Sequence, residues 1–164
     1  MTEDTDNGEM LGADRETSRR VDIVDRSITC SIPGDRLAEV ARFVLAAEGI
    51  DCAEISVSLV DDREMAQLHV AYMQVEGPTD VLTFDLADTH DTAMHGEIVI
   101  SVETATRLAG ELAVDVAEEV ALYLVHGLLH LCGFDDIDDV DRGKMRQREG
   151  ELLDQLGISV RVRA

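Results

Sequence analysis

One stretch, residues 116–131, constrains this chain more than any other part of it. It is apolar almost all round, so as a helix it has little surface to offer water and belongs at the centre of a domain. Near its end stand His126 and His130; Gly133 then stops the helix, and Asp135 and Asp136 come directly after. Helical positions i and i+4 share one face, about 5–6 Å apart at Cβ. Two imidazoles so placed can bind one divalent cation, and a group just past the helix end can curl back as a third ligand. The buried imidazoles need polar partners in any case. Gly127, next to the first histidine, is expected to leave room for a ligand or water.

The rest of the composition sets bounds. A chain of 164 residues, 45% hydrophobic and 30% charged, reads as one globular domain. No apolar run approaches the 18 or so residues of a membrane span. The polar, acidic N-terminus has no secretory signal pattern. Cys30, Cys52 and Cys132 make an odd count without framework spacing, as expected of reduced thiols in the cytoplasm, with no disulfide partner. Thirty-five acidic against 14 basic side chains give a formal net charge of −21. That charge argues against broad binding to a phosphate backbone, which needs Lys and Arg to displace counterions. A nucleic acid would have to be met at a local basic patch, through a metal, or at high ionic strength.

In chain order, residues 1–20 lack apolar periodicity and read as a disordered acidic tail, leaving 21–164 as the single domain. Val21, Ile23 and Ile28 mark a first strand region ending near residues 30–33. Leu37, Val40, Ala41, Val44 and Leu45 fall at helical spacing over 34–48, with Gly49 as terminator. Residues 54–60 alternate as a half-buried strand. Asp61 or Asp62 caps the next helix, whose inner side carries Met65, Leu68 and Tyr72. A turn at 77–80 leads to a strand over 81–86, a polar loop to 95, and a strand over 96–101 close enough to pair with it. Helices over about 102–112, 116–131 and 140–156 complete the chain, the last with Met145, Leu152, Leu153 and Leu156 inward. This is an α+β pattern: a small mixed sheet of about four strands packed with about five helices, the central one carrying the histidines.

Other polar residues are weighed against plainer roles. Asp80, in a turn before a strand, either orients a metal-binding histidine or caps the turn. Glu119 shares a helical stripe with Tyr123, His126 and His130, so it either supports the site or decorates a helix start. Asp135 is a supporting group or an alternative to Asp136. His90 and His95 sit in the polar loop as solvated surface. The acidic run 135–141 has no calcium-loop glycine in register and reads as a solvated helix start. Cys132 is a small buried residue at an apolar helix end.

Three motifs in order carry a resemblance. The segment His126-Gly127-Leu128-Leu129-His130-Leu131-Cys132-Gly133-Phe134-Asp135-Asp136 resembles the signature of the YbeY family, bacterial endoribonucleases of ribosomal RNA maturation. Residues 68–84 resemble its block ending in Pro-Thr-Asp-Val-Leu-Ser-Phe, and Gly96-Glu97-Ile98-Val99-Ile100 is similar to its Gly-Asp-Ile-x-Ile strand. Met145, Glu149 and Leu156-Gly157 also fit its spacing, so the likeness spans about 21–157. The resemblance implies a hydrolase of phosphodiester bonds with one zinc held by His126, His130 and Asp136, Asp136 standing where the family has a third histidine. The two histidines would act catalytically through metal and water. It further implies ribosomal RNA as substrate, in the company of small-subunit ribosomal proteins. The family's arginine falls at Met73, its asparagine at His69, and Phe134 and Thr83 replace tyrosine and serine. Met73 can neither hold a phosphate nor stabilise a developing phosphorane. Two alternatives stand beside this expectation: a binding module for ribosome assembly with weakened or no activity, and a metal-dependent hydrolase of a non-RNA substrate.

Overall fold

A computed structural model describes residues 16–73 and 79–159. Residues 1–15 of the expected tail and residues 77 and 78 of the expected turn at 77–80 lie outside them. Among the described residues, four strands and five helices follow in the order β1 (Ser18–Asp25), α1 (Gly34–Ala47), β2 (Cys52–Val60), α2 (Asp62–Met73), β3 (Val81–Asp85), β4 (Met94–Ser101), α3 (Val102–Leu112), α4 (Val116–Leu131) and α5 (Asp139–Gln155). The sheet order is β1-β2-β4-β3. β1 and β4 flank β2 in parallel, and β3 pairs antiparallel with β4 from Val81↔Ile100 to Asp85↔Gly96. The sheet is therefore mixed and the protein α+β, as the sequence pattern implies.

Periodicity places the elements well and burial less well. β1 starts at Ser18, inside the stretch expected to be tail, because its ladder with Cys52 onward begins there. Ile28, expected in that strand, is 95% exposed and lies beyond it; its N–H donates to Asp61 Oδ2 at 2.9 Å. β2 alternates as expected over its first half, where Glu54 is exposed between buried Ala53 and Ile55, but its end is covered on both faces: Val57, Ser58, Leu59 and Val60 are all buried. Tyr72 does not face inward: it is 65% exposed and meets Phe84 edge-on, with ring centroids 5.1 Å apart.

Two apolar clusters hold the sheet. The larger joins α1, α3, α4 and α5 to β1, β2 and β4, with Val40, Leu45, Leu124, Leu128 and Met145 in its interior. The smaller packs Met65 of α2 against Val60, Leu82 and Val99. Both aspartates at the start of α2 are used across the fold. Asp61 holds Ile28 and Thr29, and Asp62 Oδ1 accepts from Ser101 Oγ and Thr104 Oγ1 at 2.6 Å each. Arg107 completes the second group at 3.4 Å, so burial, which opposes the charge, is outweighed and the Asp62 carboxyl lies below its usual range.

What positions the site is the contact of α4 with the sheet. Gly127 is buried, and a Cβ there would lie 3.1 Å from both Ile98 Cγ2 and Thr83 Oγ1. The space expected for a ligand is thus filled by side chains of β3 and β4: the missing side chain lets the helix approach the sheet. Gly127→Ala is expected to lower stability in urea unfolding, since overpacking of about 1–3 kcal/mol outweighs roughly 1 kcal/mol of gained helix propensity. Gly143→Ala on α5, where a Cβ meets open space, should instead raise it by up to about 1 kcal/mol.

Candidate metal centre

Helix α4 starts on Asp115, whose side chain accepts from Ala117 N, with Glu118 and Glu119 in its first turn. Its apolar body is buried at Val120, Leu124, Val125, Leu128 and Leu129, which fixes which way the remaining face points. His126 and His130 share that face, each side chain 28% exposed. The helix ends in a Schellman-type turn: Phe134 N donates to Leu129 O and Gly133 N to His130 O, both at 3.0 Å. Gly133 takes φ +99°, a conformation open to glycine. The reversed chain then brings the carboxylates back, and Asp135 Oδ1 accepts from Asp136 N at 2.7 Å.

The result is a triangle of donors. His126 Nε2 and His130 Nε2 are 3.1 Å apart, and Asp136 Oδ2 lies 3.6 Å from each. The centre of such a triangle is about 2.0 Å from every corner, the bond length of a zinc-like ion to imidazole nitrogen or carboxylate oxygen. Three such ligands leave an open side. Among the described residues this is the one group of three or more His, Cys, Asp or Glu whose donor atoms converge closely enough to hold a metal ion. The other ring nitrogens are engaged too. His130 Nδ1 lies 3.1 Å from Phe134 O, and His126 Nδ1 lies 3.4 Å from Glu149 Oε2 on α5. Burial opposes a positive charge on His126, but the hydrogen bond and charge of Glu149, then the charges of Asp136 and Asp80, outweigh it and raise its pKa.

The remaining sequence candidates separate. Asp80 Oδ1 accepts from Val81 N at 2.9 Å and from Thr79 Oγ1 at 3.4 Å, so it shapes the entry to β3 while adding its charge to the surroundings of His126. Glu119 is 4% exposed, two helical turns (about 10 Å) before His126; that distance keeps its carboxylate out of the donor triangle. His95 is in β4, not in the loop, and lies 3.5 Å from Glu54 and 3.8 Å from Asp91. Burial, then Glu48, push the Cys132 thiol up to about 11, so it stays protonated. All three cysteines are free. Met73 ends α2, 57% exposed. Sequence reasoning missed the role of Glu149 and of the Phe134 carbonyl. The former had a signal: Glu149 sits four residues after Met145 and three before Leu152, a carboxylate on the inward stripe of α5.

Fold and donor set together define an α+β protein with a helix-borne His-His-Asp group that could hold a divalent ion. A family profile described as endoribonuclease YbeY matches residues 22–157. The endoribonuclease YbeY of Thermobifida fusca is 35% identical over 144 residues, covering 81% of this chain and 91% of that protein. That of Bacillus licheniformis is 33% identical over 153 residues, covering 85% and 96%. The solution structure of TM1509 from Thermotoga maritima shares the fold, with a TM-score of 0.56 at 22% identity over 84% of this chain and 91% of that one. The chain belongs to the endoribonuclease YbeY family.

The surroundings of His126 make a pH prediction for the metal-free protein. Followed by NMR, His126 should titrate with a midpoint above the 6.5 of an ordinary histidine. Because the folded value is the higher one, the pair with Glu149 adds stability that is full below the unfolded-state value. That stability should be lost as pH rises through the folded one.

Proposed function

We propose that this chain is a metal-dependent endoribonuclease of ribosomal RNA maturation, with one zinc held by His126, His130 and Asp136. The observation that carries the reading is the donor triangle, whose size suits that ion, on a fold shared with the family. Zinc bound there would supply charge neutralisation at the scissile phosphate and a more acidic water. The two histidines offer Nε2, and Asp136 adds a carboxylate, which leaves the site less cationic than three imidazoles would.

The substrate class is single-stranded ribosomal RNA, met in the cytoplasm in the company of the small ribosomal subunit. No helix among the described residues is long and apolar enough to cross a membrane. A net charge of −21 repels RNA at long range, so binding falls to the metal and to a few local cations. Met73 brings no cation to the end of α2, which makes substrate affinity the weak point of this chain.

Purified protein should contain close to one zinc per chain and cleave ribosomal RNA in its single-stranded regions, and His126→Ala should lose both. Met73→Arg should raise cleavage, chiefly at low substrate concentration. Zinc far below one per chain would overturn the reading. Zinc with cleavage that appears only in Met73→Arg would favour a ribosome-assembly binding module, and zinc-dependent hydrolysis restricted to non-RNA substrates the third alternative.

A further inference from the structure

The two histidines of the triangle are held from behind by different means. His130 Nδ1 faces the Phe134 carbonyl, a backbone acceptor delivered by the helix-ending turn. His126 stands one turn earlier, where the backbone carbonyls of α4 are taken up by the helix itself. Its Nδ1 faces a side chain from another helix, Glu149 Oε2 at 3.4 Å. That carboxylate is 14% exposed, and among the described residues its hydrogen-bond partner is His126. The neighbouring cation does not compete: Arg148 is paired with Glu48 at 2.5 Å and Glu151 at 2.9 Å. Of the other acids near His126, Asp136 faces Nε2 and Asp80 is occupied at Val81 N. A carboxylate so buried is costly unless paired, and a neutral imidazole has one N–H to give.

From this geometry we infer that Glu149 is a positioning residue, which accepts the Nδ1–H of His126 and so turns the Nε2 lone pair toward His130 and Asp136. The inference rests on the metal-site reading above and names the group that orients one of its ligands. With a carboxylate behind one imidazole and a carbonyl behind the other, both rings present the same nitrogen to the same point. Neither ring then loses affinity to the wrong tautomer. α5 thereby becomes part of the site: its packing through Met145, Leu152 and Leu153 sets where the Glu149 oxygen stands.

Two variants test this. Glu149→Leu keeps nearly the same volume and removes the acceptor; Glu149→Gln keeps one oxygen. Ring ¹⁵N shifts would be read in metal-free protein at a pH where the imidazole is neutral, and zinc affinity by competition with a chromophoric chelator. The wild type should show His126 as the Nδ1–H tautomer. The Leu variant should shift toward Nε2–H and bind zinc about ten- to a hundredfold more weakly. The Gln variant should retain the tautomer and most of the affinity. Wild-type tautomer and affinity in a folded Leu variant would overturn the inference, as would a Gln variant as weak as the Leu one. If the Leu variant does not fold, the wild-type spectrum decides, since an Nε2–H form of His126 there excludes the role. RNA cleavage enters none of these readouts, so failure of the nuclease reading and failure of this inference are distinguishable.

Discussion

The close approach of α4 to the sheet is the constraint on which the rest depends. A helix with an apolar body must be covered on several sides, and here β3 and β4 cover one side, α1 and α3 others, and α5 part of another. Gly127 brings the helix axis near Ile98 and Thr83, and at the end of the contact Gly96 of β4 leaves space for the Leu131 side chain. With those faces committed, His126 and His130 are left on the remaining one. The site is therefore a by-product of core packing in its direction, though not in its chemistry.

Its chemistry comes from the few residues just past the helix end. A left-handed glycine and two backbone hydrogen bonds reverse the chain within three residues, so Asp136 reaches the same point as the two imidazoles without a long loop to order. Short closure costs little entropy, and the donors stand close together in the protein alone. The price is a concentration of partial and full negative charge around two imidazoles, which a divalent ion offsets well. The rest of the molecule is acidic as well, with a formal net charge of −21.

Much of this was legible in the sequence, for physical reasons. The apolar stripe of α4, the i, i+4 spacing of its histidines, the terminator at Gly133 and the strand pattern of β3 and β4 are local signals, set by side-chain period and backbone freedom. The readings that failed were all about neighbours. Gly127 looked like space for a ligand because its filling residues, Ile98 and Thr83, are about 30 and 44 positions away in the chain. Tyr72 matched an inward stripe, yet α2 packs on the sheet through only one small cluster, centred on Met65. β2 alternates like a half-covered strand, and only the helices packed on the two faces of the sheet show that its end is covered on both.

The sequence by itself determined the elements, the pair of histidines and the carboxylates beyond them, because periodicity and helix termination act over a few residues. Only the tertiary structure decided that Asp136 reaches both imidazoles while Asp135 holds the turn. It alone showed that Glu149, 23 residues beyond His126, stands behind that ring. Those outcomes depend on how α5 packs across α4, a balance of many small contacts summed over the whole core.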